Sequence, residues 1–264
     1  AASAERGEIG KQANLFKQEL GALLDERRDS LKDTCTSTVT IDASLPGRWR
    51  GLGSRHPISI LIEDVVRIFR SMGFTVADGP DIDTEYNNFD ALNTPADHPS
   101  RDPHDTFYLE TGELLRTQTS TVQIRVMEKT PPPVRIIAPG RCYRRDTTDA
   151  THSANFHQVE GLYVDRHVSM ADLKGDITYF AHQLMGPDVK VRFRPHFFPF
   201  TEPSVEVDFS CHACHGRGCP VCKKSGWIEI GGAGMVVPEV FKAVGYDPEE
   251  VTGYAYGMGV DRIT

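Results

Sequence analysis

The sequence predicts an α+β fold, a mostly antiparallel sheet flanked by helices. Two observations carry this. The connections between strand-like runs mix hairpins with occasional helices and show no regular βαβ alternation. One pair of runs, Gly140–Asp146 and Phe156–Gly161, reads as two strands joined by a short polar loop. No internal repeat is visible.

Residues 5–32 read as a helix. Ile9, Ala13, Phe16, Leu20 and Leu23 follow alternating steps of four and three, the spacing of a coiled-coil seam, with charges on the other faces. The pattern suits either a surface helix or one strand of a protruding helical arm. Residues 33–55, with Pro46-Gly47 and Gly51-Leu52-Gly53, read as a linker. A helix then starts at Pro57, where a missing N–H costs nothing, and carries an apolar stripe of Ile58, Leu61, Ile62, Val65, Phe69 and Met72 before stopping at Gly73. Phe74–Val76 is a short strand ended by Gly79-Pro80. Residues 81–113 are irregular, yet Tyr86, Phe89, Phe107 and Tyr108 argue for an ordered loop, and a loop that long is usually functional. Helices over 121–129 and 171–185 and strands near 189–194, 203–209 and 227–230 follow.

Composition narrows the class. A chain of 264 residues, 39% hydrophobic and 25% charged, is that of a soluble globular protein with one large core or two smaller ones. Its apolar runs fall far short of the ~20 residues of a membrane span. The first residues lack the apolar segment of a signal peptide; the missing initiator Met, and a helix expected to begin at Arg262 just before the chain ends, suggest a piece trimmed at both ends. The net charge of −8 excludes a broadly basic surface, so any nucleic-acid contact must come from a local patch or a partner.

The strand pair carries the chemistry. Alternation puts Phe156, Gln158 and Glu160 on one face, where an ordinary strand would group apolar residues, and Arg141, Arg144 and Arg145 end the neighbouring strand. Arginine matches phosphate with a planar fork of donors, and an aromatic face can stack on a base. The set suits an anionic nucleotide beside a charged amine; a solvated charged turn is the plainer alternative. Gly257-Met258-Gly259-Val260-Asp261-Arg262 reads as a strand entering a helix, with Arg262 in its first turn facing the same site. Phe198 and Phe200, two apart on one strand face, could flank an aromatic ligand or form a core pair.

Cys211, Cys214, Cys219 and Cys222 form two C-x2-C knuckles between predicted strands, with Gly216 and Gly218 permitting the return. Four thiolates close a tetrahedral site, so structural Zn²⁺ is expected ahead of disulfides or an iron–sulfur site, in a hairpin insert over 211–226. Four of six cysteines in one cluster suggests a reducing cytosol. Cys35 and Cys142 read as unreactive thiols.

The Arg-rich strand, Asp149–His152, Phe156–Gly161 and Gly257–Arg262 together resemble motifs 2 and 3 of the class II aminoacyl-tRNA synthetases. Tyr86–Asn93, Leu115–Ser120, Arg135–Arg141 and Phe198–Pro203 resemble the bacterial-type phenylalanyl-tRNA synthetase alpha subunits in particular, and the likeness covers residues 56–264. The resemblance implies a class II catalytic domain that activates L-phenylalanine with ATP and transfers it to tRNA(Phe), in a cytoplasmic heterotetramer of two alpha and two beta subunits. It implies Mg²⁺ on the ATP. By resemblance, Arg144 contacts the α-phosphate and Arg262 the γ-phosphate, His152 touches the phosphate tail, Phe156 stacks on adenine, and Asp146 lies near its amino group. Ser120, Gln118, Gln158 and Glu160 hold the polar end of phenylalanine. Phe198 and Phe200 flank its ring, Ala255 floors the pocket, and Tyr108 stands in the amino-acid loop. Gln118 replaces a histidine common in the family, and Tyr108 a tryptophan. A synthetase-like binding paralogue and a class II synthetase for another amino acid are the alternatives. The full set of Arg144, Phe156, Gln158, Glu160 and Arg262 argues against the first, and the aromatic pocket against the second.

Overall fold

A computed structural model describes residues 2–34, 53–147 and 153–263. The chain divides into two compact units, Ala1–Gly53 and Ser54–Thr264. Among the described residues the first holds one helix, α1 (Ala2–Thr34), on which Ile9, Phe16, Leu20 and Leu23 are all exposed. Most of the expected linker, with Cys35, lies outside the described residues, as does His152. Among the described residues no helix is long and apolar enough to cross a membrane.

The second unit opens with α2 (Pro57–Ser71). His56 caps it, its Nδ1 accepting the Ile58 N–H at 3.2 Å. Gly73 follows at φ 88°, the left-handed turn glycine adopts at no steric cost. The strands are β1 (Thr75–Val76), β2 (Ile82–Asp83), β3 (Leu114–Leu115), β4 (Val134–Tyr143), β5 (Asn155–Asp165), β6 (Val191–Phe198), β7 (Thr201–Ser210), β8 (Trp227–Val236) and β9 (Thr252–Gly259). Seven of them form one sheet in the order β1-β4-β5-β9-β8-β7-β6. Only β1 and β4 run parallel, so the expected antiparallel character holds.

Alternation then divides the sheet. One face sends Val159, Tyr254, Tyr256, Met258, Val205 and Phe209 under α2 and α5 (Met170–Met185), against Phe69, Leu173, Ile177 and Phe180. Phe69 stacks on Phe180 and Tyr256 at 4.8 and 5.3 Å between ring centroids. The Tyr256 ring lies across Gly161, where any Cβ would collide with it. The opposite face presents small residues in register. Gln158 faces Gly259 and Gly140, Glu160 faces Gly257 and Ala138, and Leu162 faces Ala255. The glycines and alanines beside them leave Gln158, Glu160 and Leu162 the room to extend from the sheet.

Several sequence expectations need correction. Residues 81–113 are not simply irregular. They contain α3 (Glu85–Asn88) and 3₁₀ turns at Asp90–Leu92 and Pro99–Arg101, followed by β3. A helix α6 (Pro238–Ala243) went unforeseen because six residues are too few for a periodic signal. The strands expected near 189–194 and 203–209 are found and run longer, as β6 and β7, taking in Pro195 and Pro203: β6 is a sheet edge, and β7 shifts register between Thr201 and Ser204, the settings in which a strand tolerates proline. Gly257–Gly259 stay within β9, and Val260–Arg262 form a 3₁₀ turn rather than a described α-helix.

Candidate active site

The small-residue face opens into a cavity of about 720 Å³. Gln118, Ser120, Arg144, Asp146, Phe156 and Gln158 line it, and so do Glu160, Phe198, Phe200, Ala255 and Arg262. Ten residues of separate strands, turns and a helix, named from sequence alone alongside Arg144, thus meet in one space.

Its deepest charge is Glu160, 3% exposed. Its Oε2 accepts the Ser120 hydroxyl and, at 2.9 Å, the Gln123 amide. Ser120 and Gln123 stand three apart on α4 (Ser120–Met127), hence on one helix face, and backbone N–H groups of Thr119 and Ser120 also point at the carboxylate. Burial outweighs these donors and pushes the Glu160 carboxyl up to about 7. Nothing cationic touches it directly among the described residues; Arg144 acts on it only through the field. α4 is itself anchored, since Arg125 grips the buried Asp83 at 2.8 and 2.9 Å, and Asp83 also holds Asn87 of α3.

Gln158 accepts the thiol of Cys142 at 3.2 Å. Cys142 is fully buried and its pKa is raised by that burial, so it stays a neutral donor. Gln118 lines the cavity and donates to the Asn88 carbonyl at 3.4 Å. Arg144 spreads its guanidinium over the Phe156 ring at 5.0 Å from the centroid and leans on the Thr117 carbonyl. Arg262 pairs with Glu229 at 2.7 Å, and the neighbouring Asp261 accepts the His157 N–H, tying the 3₁₀ turn to β5.

Phe198 and Phe200 do not share a strand face. Phe198 ends β6 and Phe200 lies in the turn that reverses the chain into β7. Their rings are nonetheless stacked, 5.9 Å apart and 14° from parallel. The Phe198 ring rests directly on Gly232, which has no Cβ to push it away. Tyr108 does not line the cavity. Its hydroxyl donates to the Arg101 carbonyl, and burial raises its pKa to about 12. Residues the sequence reading missed are Gln123, Glu229 and the buried Arg116. Arg116 ties the Gly79, Pro80 and Arg141 carbonyls together beneath Gly140. Gln123 was legible as the partner three residues after Ser120; Glu229 and Arg116 had no local signal.

Comparison with known proteins bears on these residues. Residues 40–264 match the model of the tRNA synthetases class II core domain (F). The chain is 56% identical over 263 residues to the phenylalanine–tRNA ligase alpha subunit of Trichlorobacter lovleyi, covering 98% of this chain and 78% of that protein. The corresponding protein of Desulfotalea psychrophila is 54% identical over 267 residues, 100% of this chain and 79% of that one. The chain belongs to the phenylalanine–tRNA ligase alpha subunits. A solved pyrrolysyl-tRNA synthetase from Desulfitobacterium hafniense shares the fold, with a TM-score of 0.60 at 16% identity over 79% of this chain and 68% of that one. An alpha subunit of this ligase family has a beta subunit as its partner, with tRNA and ATP as substrates.

In this alpha subunit the β7–β8 connection carries the four cysteines. Their sulfurs lie within 4.8 Å of one another, and the Cys211–Cys219, Cys214–Cys222 and Cys219–Cys222 pairs are each 3.8 Å apart. A tetrahedron of sulfurs about 2.3 Å from a central ion has edges of about 3.8 Å. The N–H groups of Cys219 and Gly226 point at Cys222 Sγ and hold its thiol down at about 6. The cluster therefore fits a tetrahedral metal ion.

Proposed function

We propose that the cavity joins phenylalanine to ATP, with the amino acid at the Glu160 end and the nucleotide at the arginine end. The buried Glu160 carboxylate carries this reading. A 3%-exposed acid surrounded by neutral donors is poised for an incoming cation, and the α-ammonium of an amino acid supplies one. Ser120 and Gln158 complete that end, with Gln118 beside them. Phe198 and Phe200, stacked on each other, flank the substrate ring as one aromatic wall over the Ala255 floor. An added hydroxyl is rejected only about a hundredfold by such an apolar pocket, so tyrosine is the near-cognate competitor.

The substrate carboxylate is the nucleophile. Its oxygen attacks the α-phosphorus, the bond to the β-phosphate breaks, and pyrophosphate leaves with the electron pair. Arg144 stabilises the charge gathering on the α-phosphate, and its place over Phe156 is taken by adenine when the nucleotide stacks there. Asp146 faces the adenine amino group. Arg262 leaves Glu229 for the terminal phosphate, and His152 touches the phosphate tail. Glu229 would help hold a Mg²⁺ ion on the triphosphate, and the ion would neutralise phosphate charge. In the second half-reaction a ribose hydroxyl of tRNA(Phe) attacks the carbonyl carbon and AMP departs. The assembly is an α₂β₂ heterotetramer in the cytoplasm, where reduced thiols persist.

A nonhydrolysable phenylalanyl-adenylate analogue tests the shared cavity. It is expected to bind the assembled enzyme far more tightly than phenylalanine or ATP alone, since it meets both ends at once. Affinity no better than the tighter half would contradict a single cavity for both.

The cysteine cluster holds structural Zn²⁺, closing the β7–β8 hairpin whose second strand carries Glu229. Freshly purified protein is expected to contain one zinc per chain. Cys214→Ser is expected to lose the zinc and lower the melting temperature by several degrees, because metal binding is coupled to folding. Full zinc content with unchanged melting in that variant would contradict the assignment.

A further inference from the structure

Phe197 has the greatest exposure of the large apolar side chains among the described residues, 76%. It also lines the cavity. Its position follows from a register slip: His196 pairs with Ser204, but Phe198 pairs with Thr201, leaving Phe197 at the irregularity. Such slips re-aim a side chain away from its regular direction. Here the flanking Phe198 turns onto Gly232 while Phe197 is left at the mouth, facing outward.

A bare phenyl ring at the mouth of a working cavity needs an occupant that comes and goes. A permanent cover, such as another subunit, would also obstruct the entrance that ATP and amino acid must use. The transfer step supplies a transient visitor. The 3′-terminal nucleoside of the tRNA must bring its ribose hydroxyl to the carbonyl carbon inside the cavity, and its base travels with it. The base has a flat π face that stacks on an aromatic ring whatever its sequence. We propose that Phe197 is the stacking platform for the 3′-terminal nucleobase of the incoming tRNA. The proposal rests on the amino-acid activation assigned to this cavity above.

The experiment uses the full-length subunit assembled with its beta partner. Phe197→Ala is expected to keep phenylalanine-dependent pyrophosphate exchange within about twofold of the parent, while kcat/KM for tRNA in charging falls about tenfold or more. Phe197→Trp should restore charging and Phe197→Leu should not, because leucine is apolar but cannot stack. Normal charging by Phe197→Ala overturns the proposal. So does Phe197→Leu charging as well as Phe197→Trp, which marks ordinary apolar packing, or exchange falling as far as charging. A parent enzyme with no phenylalanine-dependent exchange would instead remove the activation reading, so the two failures are distinct.

Discussion

Glu160→Gln is expected to raise the KM for phenylalanine by two orders of magnitude or more while making the empty protein more stable. Both effects have one cause. The carboxylate is buried among neutral donors, and its folded pKa of about 7 lies above its ordinary value of 4.5. The sign follows from linkage. Between those values the unfolded chain has lost the proton and the folded chain keeps it, so stability falls as pH rises through that window. Above pH 7 the full penalty applies, about 3 kcal/mol from the difference of about 2.5 between the two values given for Glu160. Glutamine keeps the shape and removes that penalty. Thermal unfolding of the variant at pH 8 should show a melting temperature several degrees above the parent, the gain shrinking towards pH 5. The ammonium of phenylalanine is what offsets the penalty in the parent, and without the carboxylate it is buried unpaired, which typically costs about 3–5 kcal/mol. The parent's KM for phenylalanine should also rise as pH falls below about 7, since protonated Glu160 cannot pair with ammonium. A variant that binds phenylalanine normally would refute the orientation of the amino acid.

Arg144→Ala should reduce pyrophosphate exchange about a thousandfold or more, with the fold intact. Arg144 is exposed, and its described contacts are the Phe156 ring and one carbonyl, so the structure loses little. The reaction loses the guanidinium at the α-phosphate. Preorganised donors aimed at developing charge are worth about 10²–10³ each in kcat, and arginines on transferring phosphoryl groups about 10³–10⁵. Lysine at the same place should recover only part of the rate, having a point charge in place of a fork. Circular dichroism and melting curves matching the parent would separate this loss from unfolding; unchanged exchange would remove Arg144 from the reaction.

The site was more legible than the fold around it. Phe156, Gln158 and Glu160 were readable because two-residue alternation is a property of the strand itself, and an amide and a carboxylate beside an aromatic ring on one face have no packing explanation. The cysteine cluster was readable from spacing alone. What failed was local geometry that tertiary contacts decide. Phe198 and Phe200 looked like strand neighbours, yet the chain turns at Pro199 and their rings meet by stacking across the turn. Tyr108 sits near the cavity in sequence terms, but pairing with Leu114 and its bond to Arg101 hold it away from the lining. Glu229 lies 33 residues before its partner Arg262, and the salt bridge depends on β8 and β9 being neighbours, a pairing no local pattern announces.

Amino-acid-dependent pyrophosphate exchange tests the central claim most directly, using the full-length subunit with its beta partner and each amino acid in turn. Phenylalanine should drive exchange strongly and tyrosine about a hundredfold less well. Exchange driven by another amino acid in phenylalanine's place, or by none, would contradict the account.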